Sequence, residues 1–435
     1  MNLNFSIVHH SLVKEAFIYI ATDMLGKAMA FILLPIISYY LAPADLGIAT
    51  NFTVLAQLVI LLAGMAVVNS LPYFFYEQDK KENNQLVTNL LLLCGFLCII
   101  LMLVVMIFHQ VVYKYLQLNL QIQLLSIFFV IGSLITQTSL VLLRLENKAK
   151  HFACLQVAQI ILHALVVVLF VIVFKGGGIG KIYAEVSVFA LMGLIHLFIL
   201  YHKGYLKGYF EMRWIRKLLK FGVPLLPHSV SFWFKGGMDK IFITTYCGLQ
   251  FNGLYSMAIS ISSVYTLLVG SFFSAYTPYL QKMLSQTPEA EMMVVKRKVV
   301  KQTYLISVLF IFVALLALAA SYFIFEFMID EKYMPALDYM PLIILANYVY
   351  LLYSFTIQYI YKVKKTLVMG IITFTGSLIQ MLLSYVLIRQ YGVMGAVYSF
   401  LIGNVLISIG ISLYSQKVYP MPWISSLRRY TSSKF

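Results

Sequence analysis

A few charged residues stand where long apolar runs should exclude them. Asp23 and Lys27 lie in "ATDMLGKAMA" (21–30), and Lys235, Asp239 and Lys240 lie in "FWFKGGMDK" (232–240). Arg144 closes a further apolar run. Asp23 and Lys27, like Lys235 and Asp239, are four residues apart, a spacing that sets acid and base on one helix face a turn from each other. An ionisable group in hydrocarbon costs about 2.5–3.5 kcal/mol on insertion scales, so it faces a partner or a watery cavity. Lys27, Lys235, Lys240 and Arg144 outnumber Asp23 and Asp239, and such a surplus suits an anionic ligand such as a phosphate. The two carboxylates would hold the lysines in place or carry a coupling ion. The competing reading is that each pair neutralises itself and only ties helices together.

Other chemistry is not encoded in recognisable form. No G-x-x-x-x-G-K-[ST] or H-E-x-x-H stretch is present, which removes the usual nucleotide loop and zinc-hydrolase helix. Cys94 and Cys98 are a turn apart with no His or carboxylate near them in sequence, so they read as packing residues. His163 and His196 stand singly in apolar runs and read as hydrogen-bonding partners between helices. No catalytic residue, metal or organic cofactor is expected.

The elements that must position these charges are transmembrane helices. The chain is 61% hydrophobic and 11% charged, with mean hydropathy +0.88, whereas a soluble chain is about a quarter charged. Twelve runs are long enough to span a bilayer: 16–41, 46–70, 86–108, 120–142, 152–174, 182–202, 221–247, 252–279, 301–327, 336–361, 366–388 and 393–415. The seventh, which carries Lys235, Asp239 and Lys240, is the least apolar. The net charge of +16 does not signal nucleic acid, because the basic residues sit in short loops. Of 32 Lys and Arg, 24 fall on one side, five on the other, and Lys27, Lys235 and Lys240 lie inside spans. The positive-inside rule then places both termini in the cytoplasm.

The chain also resembles itself. "GGIGKIY" (177–183) and "GVMGAVY" (392–398) share G-x-x-G-x-x-Y, while "LGIATNF" (46–52) and "NGLYSMA" (252–258) open the second and eighth spans. The similar offsets predict two six-helix lobes of like topology, a transporter device that sets a site between halves. The expected architecture is an all-α polytopic protein of about twelve helices around a central cavity. Residues 1–201 form one lobe, 202–220 a basic linker and 221–435 the other lobe with a tail. The linker "HKGYLKGYFEMRWIRKLLK" reads either as an interfacial helix on anionic lipid or as a solvated connection.

The stretch "RKLLKFGVPLLPHSVSFWFKGGMDKIFI" (216–243), followed by "NGLYSMAISISSVYTLLVGSFFSAYTPYL" (252–280), resembles the signature of polysaccharide repeat-unit flippases. These belong to the multidrug/oligosaccharidyl-lipid/polysaccharide exporter superfamily. "LLPIISYYLAPADLGI" (33–48), "LLRLENKAKHF" (142–152) and "YGVMGAVYSFLIGNV" (391–405) are similar to that family too. Where members commonly carry a Ser-Asp-Arg-like triplet, this chain has Met238-Asp239-Lys240, without the guanidinium suited to bidentate phosphate binding. The resemblance implies a flippase for undecaprenyl-pyrophosphate-linked oligosaccharide in the bacterial inner membrane, as in O-antigen biosynthesis. It further implies alternating access driven by a proton or Na⁺ gradient, with a polysaccharide polymerase and chain-length regulator as partners. A multidrug/cation antiporter of the same superfamily is the nearest alternative, and a polysaccharide polymerase is a more distant one.

Overall fold

The computed structural model describes residues 5–425 apart from residue 66. The tail cations Arg428, Arg429 and Lys434 lie outside the described residues. The long helices are α1 (Phe5–Tyr40), α2 (Pro43–Gly64), α3 (Lys80–Ile107), α4 (Leu120–Leu145), α5 (Ala149–Val168), α6 (Gly177–His202), α7 (Met212–Gly222), α8 (Leu226–Tyr246), α9 (Leu249–Gln286), α10 (Met292–Phe327), α11 (Met340–Lys362), α12 (Thr366–Tyr391) and α13 (Val393–Val418). Their starts follow local chemistry. Pro43 occupies the first turn of α2, where its missing N–H costs nothing. Asp79 and Asn119 cap α3 and α4 by accepting from the backbone N–H of Glu82 at 2.7 Å and Ile122 at 2.9 Å.

Among the described residues, 11 helices are long and apolar enough to cross a membrane. The expected seventh span, α8, is helical over 21 residues, yet its three charges leave it outside that set. The solvent of the bundle is legible in its surface. On α10, Leu305, Phe312 and Leu316 are 72%, 59% and 68% exposed, a pattern that only a hydrocarbon surrounding tolerates over a whole helix. The protein is an integral, multi-pass membrane protein.

Two compact units emerge: residues 1–233 with 240–253, and residues 234–239 with 254–435. The division therefore does not follow the expected 1–201, linker and 221–435. Residues 202–220 belong to the first unit, because α3 presents amides that the backbone of this stretch satisfies. Asn89 donates to Tyr209 O at 2.9 Å and accepts from Glu211 N at 2.8 Å, and Thr88 donates to Tyr205 O at 2.9 Å. Trp214, Ile215 and Leu218 of α7 are buried in the core of that unit. The apolar face of α7 thus packs on protein, so the stretch is not a solvated connection, and Trp214, Ile215 and Leu218 are not what would hold it to lipid.

The first unit packs α4 against α6 and α1 against α5, around Phe52, Leu86, Leu90 and Trp214. The second packs α13 against α11 and α12, and adds an aromatic cluster of Phe272, Phe273, Tyr276 and Phe355. Both copies of G-x-x-G-x-x-Y open on a glycine of positive φ, 58° at Gly177 and 57° at Gly392, which glycine adopts without steric cost. The second repeated pair is reciprocal. A Cβ on Gly47 would stand 2.1 Å from Leu249 O, and one on Gly253 would stand 1.8 Å from Pro43 O. The starts of α2 and α9 therefore meet backbone to backbone inside the first unit.

Candidate functional site

In the first unit, Asp23 does not pair with Lys27. Its carboxylate lies 3.4 Å from the guanidinium of Arg144, which α4 delivers at its last turn. The guanidinium also sits 4.4 Å from the Phe152 ring centroid and 5.6 Å from that of Tyr19. A planar cation held over two rings outcompetes a flexible lysine on the same helix, although each such contact contributes only about 0.5–1 kcal/mol at an exposed site. Lys27 is exposed and has no ion-pair partner among the described residues. Asp23 and Arg144 are themselves about half exposed, so their pairing contributes little to stability.

Next to Arg144 the chain spends its charges on structure. Glu146 accepts from Lys203 at 2.6 Å, from Lys148 at 2.8 Å and from the Tyr205 hydroxyl at 2.7 Å. Burial pushes its pKa up, but the hydrogen bonds from Lys148, Lys203 and Tyr205 outweigh that and hold it below the ordinary glutamate value. A depressed carboxylate stabilises the fold above its unfolded pKa, and that contribution is lost as pH falls through the folded value. Glu146→Gln should therefore lower the thermal midpoint at neutral pH, by the equivalent of about 1–2 kcal/mol. The gap between variant and wild type should close toward acid pH. Thermal melts of the detergent-solubilised protein across pH check this, and a constant gap would refute it.

A cavity of about 260 Å³ in the same unit is lined by Gln57, Asn69, Gln137 and Ser229 among apolar neighbours. Amides and hydroxyls of this kind pair with the alternating donors and acceptors of a sugar. Buried elsewhere in the unit, Asn51 donates to Thr244 Oγ1 at 3.0 Å and to Leu116 O at 2.8 Å, and accepts from Asn252 at 2.8 Å. Lys240 also belongs to the first unit and is half-buried.

Lys235 and Asp239 belong to the second unit. The Lys235 ammonium donates to Asn404 Oδ1 at 2.5 Å and lies 5.4 Å from the Tyr350 ring centroid and 5.9 Å from that of Phe400. Asp239 is 2% exposed. It accepts from the hydroxyl of Ser384 and from Tyr255 at 3.4 Å, and Ser384 is bonded in turn to Ser399 at 2.7 Å. The expected intrahelical ion pair is thus replaced by an amide–aromatic cage around the cation and a hydroxyl shell around the carboxylate. Gln380 reinforces the cage by donating to Lys235 O at 3.4 Å. Ser399 and Asn404 lie in the family-like stretch 391–405, just past the repeat 392–398, but single Ser and Asn residues in a span carry no distinguishing signal in sequence.

His196, buried, bonds Ser139 Oγ at 2.9 Å, as a packing histidine does. Cys94 and Cys98 are buried, and no group of three or more metal-ligating side chains occurs among the described residues.

A multi-helix membrane bundle with ionisable side chains inside its spans is of a transporter-like class. The chain matches the polysaccharide biosynthesis protein family over residues 12–284, more than half its length, and belongs to that family. An Lsg locus protein of Haemophilus influenzae is 21% identical over 277 residues, 63% of this chain and 67% of that one. An inward-facing multidrug resistance MATE family transporter of the MOP superfamily superposes with TM-score 0.71 at 14% identity, covering 90% and 94% of the two chains. The lipid II flippase MurJ, in an inward closed conformation, superposes with TM-score 0.70 at 15% identity over 93% and 87%. At these identities the likeness establishes the fold, that of the MOP superfamily transporters.

Proposed function

We propose that the protein is a flippase that moves undecaprenyl-pyrophosphate-linked oligosaccharide from the cytoplasmic to the periplasmic leaflet, by ion-coupled alternating access. The observation that carries this reading is that two cations within the spans, Lys27 and Lys235, form no ion pair among the described residues. Lys235 rests on an amide instead. A pyrophosphate is the ligand such cations suit. Within the first unit, Lys27, Lys240 and Arg144 are its proposed cations, and the amides of the 260 Å³ cavity in that unit its proposed sugar contacts. Asp239, buried among hydroxyls, is the proposed proton or Na⁺ site, whereas Asp23 serves to orient Arg144.

The test is genetic. A strain lacking the protein should lose surface polysaccharide, and Lys27→Arg should restore part of it. Lys27→Ala should restore little and Lys27→Glu none, at matched membrane levels. Full restoration by Lys27→Glu would remove Lys27 from the site, and unchanged polysaccharide in the deletion strain would end the flippase reading.

The loop charges further propose cytoplasmic termini in a bacterial inner membrane. A phosphatase reporter active only in the periplasm should be active when fused after Lys175 or Lys332, and silent after Lys150 or Lys365. The reverse pattern would invert the topology.

A further inference from the structure

Two cavities follow one another along a single face of α3, and neither is lined by Asp23, Lys27 or Arg144. The first, about 340 Å³, is walled by Lys80, Lys81, Asn84 and Gln85 of α3 with Lys207 and Tyr209. The second, also about 340 Å³, is almost wholly apolar and includes Leu91, Gly95 and Cys98 of α3 with Leu134 and Leu206. Positions 81, 84, 88, 91, 95 and 98 recur every three or four residues, which places them on one stripe of the helix. Thr88 stands between the two groups, where it accepts from Gly208 N at 3.2 Å and holds the 205–208 segment to α3.

The first cavity is uncompensated. Lys80, Lys81 and Lys207 take part in no ion pair among the described residues. Glu82 pairs with Arg213 at 3.2 Å, Glu211 pairs with Arg213 at 3.1 Å, and Asp79 caps α3, so none of the three forms an ion pair with these lysines. Asn84 Oδ1 is buried with no hydrogen-bond partner among the described residues, an acceptor left for a hydroxyl. Tyr209, Phe210 and Met212 are 66%, 61% and 49% exposed beside it, as side chains are that sit at a lipid–water boundary.

We infer that this stripe is a binding site for an anionic phospholipid, separate from the proposed transport site and independent of what the protein transports. The three lysines take the phosphodiester, Asn84 accepts from a headgroup hydroxyl, and an acyl chain fills the apolar cleft. A headgroup phosphate and a free phosphate would share the first cavity, but only a lipid uses the second. Gly95 separates the two sources, because a Cβ there meets nothing within 4 Å and a larger side chain enters the cleft without disturbing the helix.

The experiment is native mass spectrometry of the delipidated full-length protein, titrated with phosphatidylglycerol or with phosphatidylcholine of the same chains. Phosphatidylglycerol should be retained at least about tenfold better, as expected for three clustered lysines near a lipid phosphate. The preference should vanish in Lys80→Ala/Lys81→Ala/Lys207→Ala and persist when the same positions become Arg. Gly95→Ile should weaken retention of phosphatidylglycerol with no fall in thermal midpoint. Equal retention of the two lipids, or an unaltered preference in the triple alanine variant, overturns the site. Full displacement by millimolar inorganic phosphate, with Gly95→Ile neutral, makes it a free-phosphate site and overturns the lipid assignment.

Discussion

Asp239→Asn should abolish polysaccharide export without lowering the stability of the protein. Asp239 is buried in α8 against the hydroxyls of Ser384 and Tyr255. The carboxylate accepts from both hydroxyls, which fixes its position in the span. Such a group inside a span costs about 2.5–3.5 kcal/mol, and a neutral amide of the same shape avoids that cost. A carboxylate kept only for packing would therefore be replaceable by Asn with export intact. One that must alternate between charged and neutralised states would not be, and export should fall at least roughly tenfold while the thermal midpoint holds or rises. Ser384→Ala, which removes one donor and leaves Tyr255, should give an intermediate loss. Surface polysaccharide and melts of the purified variants read the two quantities separately. Normal export from Asp239→Asn would return Asp239 to a structural role.

The second large effect is expected at the repeated glycines. Gly47 and Gly253 lie where α2 and α9 begin, each against a backbone oxygen of the opposite helix. Even a methyl group at either position would enter the space of that oxygen, and backbone cannot rotate away as a side chain can. Gly253→Ala and Gly47→Ala should each destabilise by about 4 kcal/mol or more, the range reached only when a tightly packed element must move. The buried network of Asn51, Thr244 and Asn252 beside the crossing would be pulled apart with it. Gly270→Ala is the matched control, since a Cβ there meets nothing within 4 Å and alanine favours a helix interior. Melting of the solubilised variants should drop steeply for the first two and not for the third. An unchanged midpoint in Gly253→Ala would contradict the close crossing.

The bundle was legible in the sequence because hydrocarbon demands long apolar runs, and the repeat because glycines at a close crossing and at positive φ admit few substitutes. The membrane-embedded charges were legible as costs, which is how Asp239 and Lys235 were singled out. Their partners were not. Ser384, Ser399 and Asn404 lie more than a hundred residues from α8 in the chain, and nothing in an isolated polar residue says which helix it meets. Asp23 shows the same limit from the other side: helical spacing favoured Lys27, yet Arg144 reached it from α4, backed by Phe152 and Tyr19. The basic stretch 202–220 misled for a related reason. Its amphipathicity was plain, but the surface that covers its apolar face is supplied by other parts of the first unit.

The central claim is that the protein carries a lipid-linked oligosaccharide across the bilayer. Its most direct test is a sided assay in proteoliposomes containing radiolabelled lipid-linked repeat units, with a proton or Na⁺ gradient imposed. A membrane-impermeant glycosidase added outside can attack only the units of the outer leaflet. With the wild-type protein the protected pool should become accessible when the gradient is applied, whereas liposomes carrying Asp239→Asn should keep it protected. A protected pool that stays closed with the wild-type protein under both gradients would contradict the account.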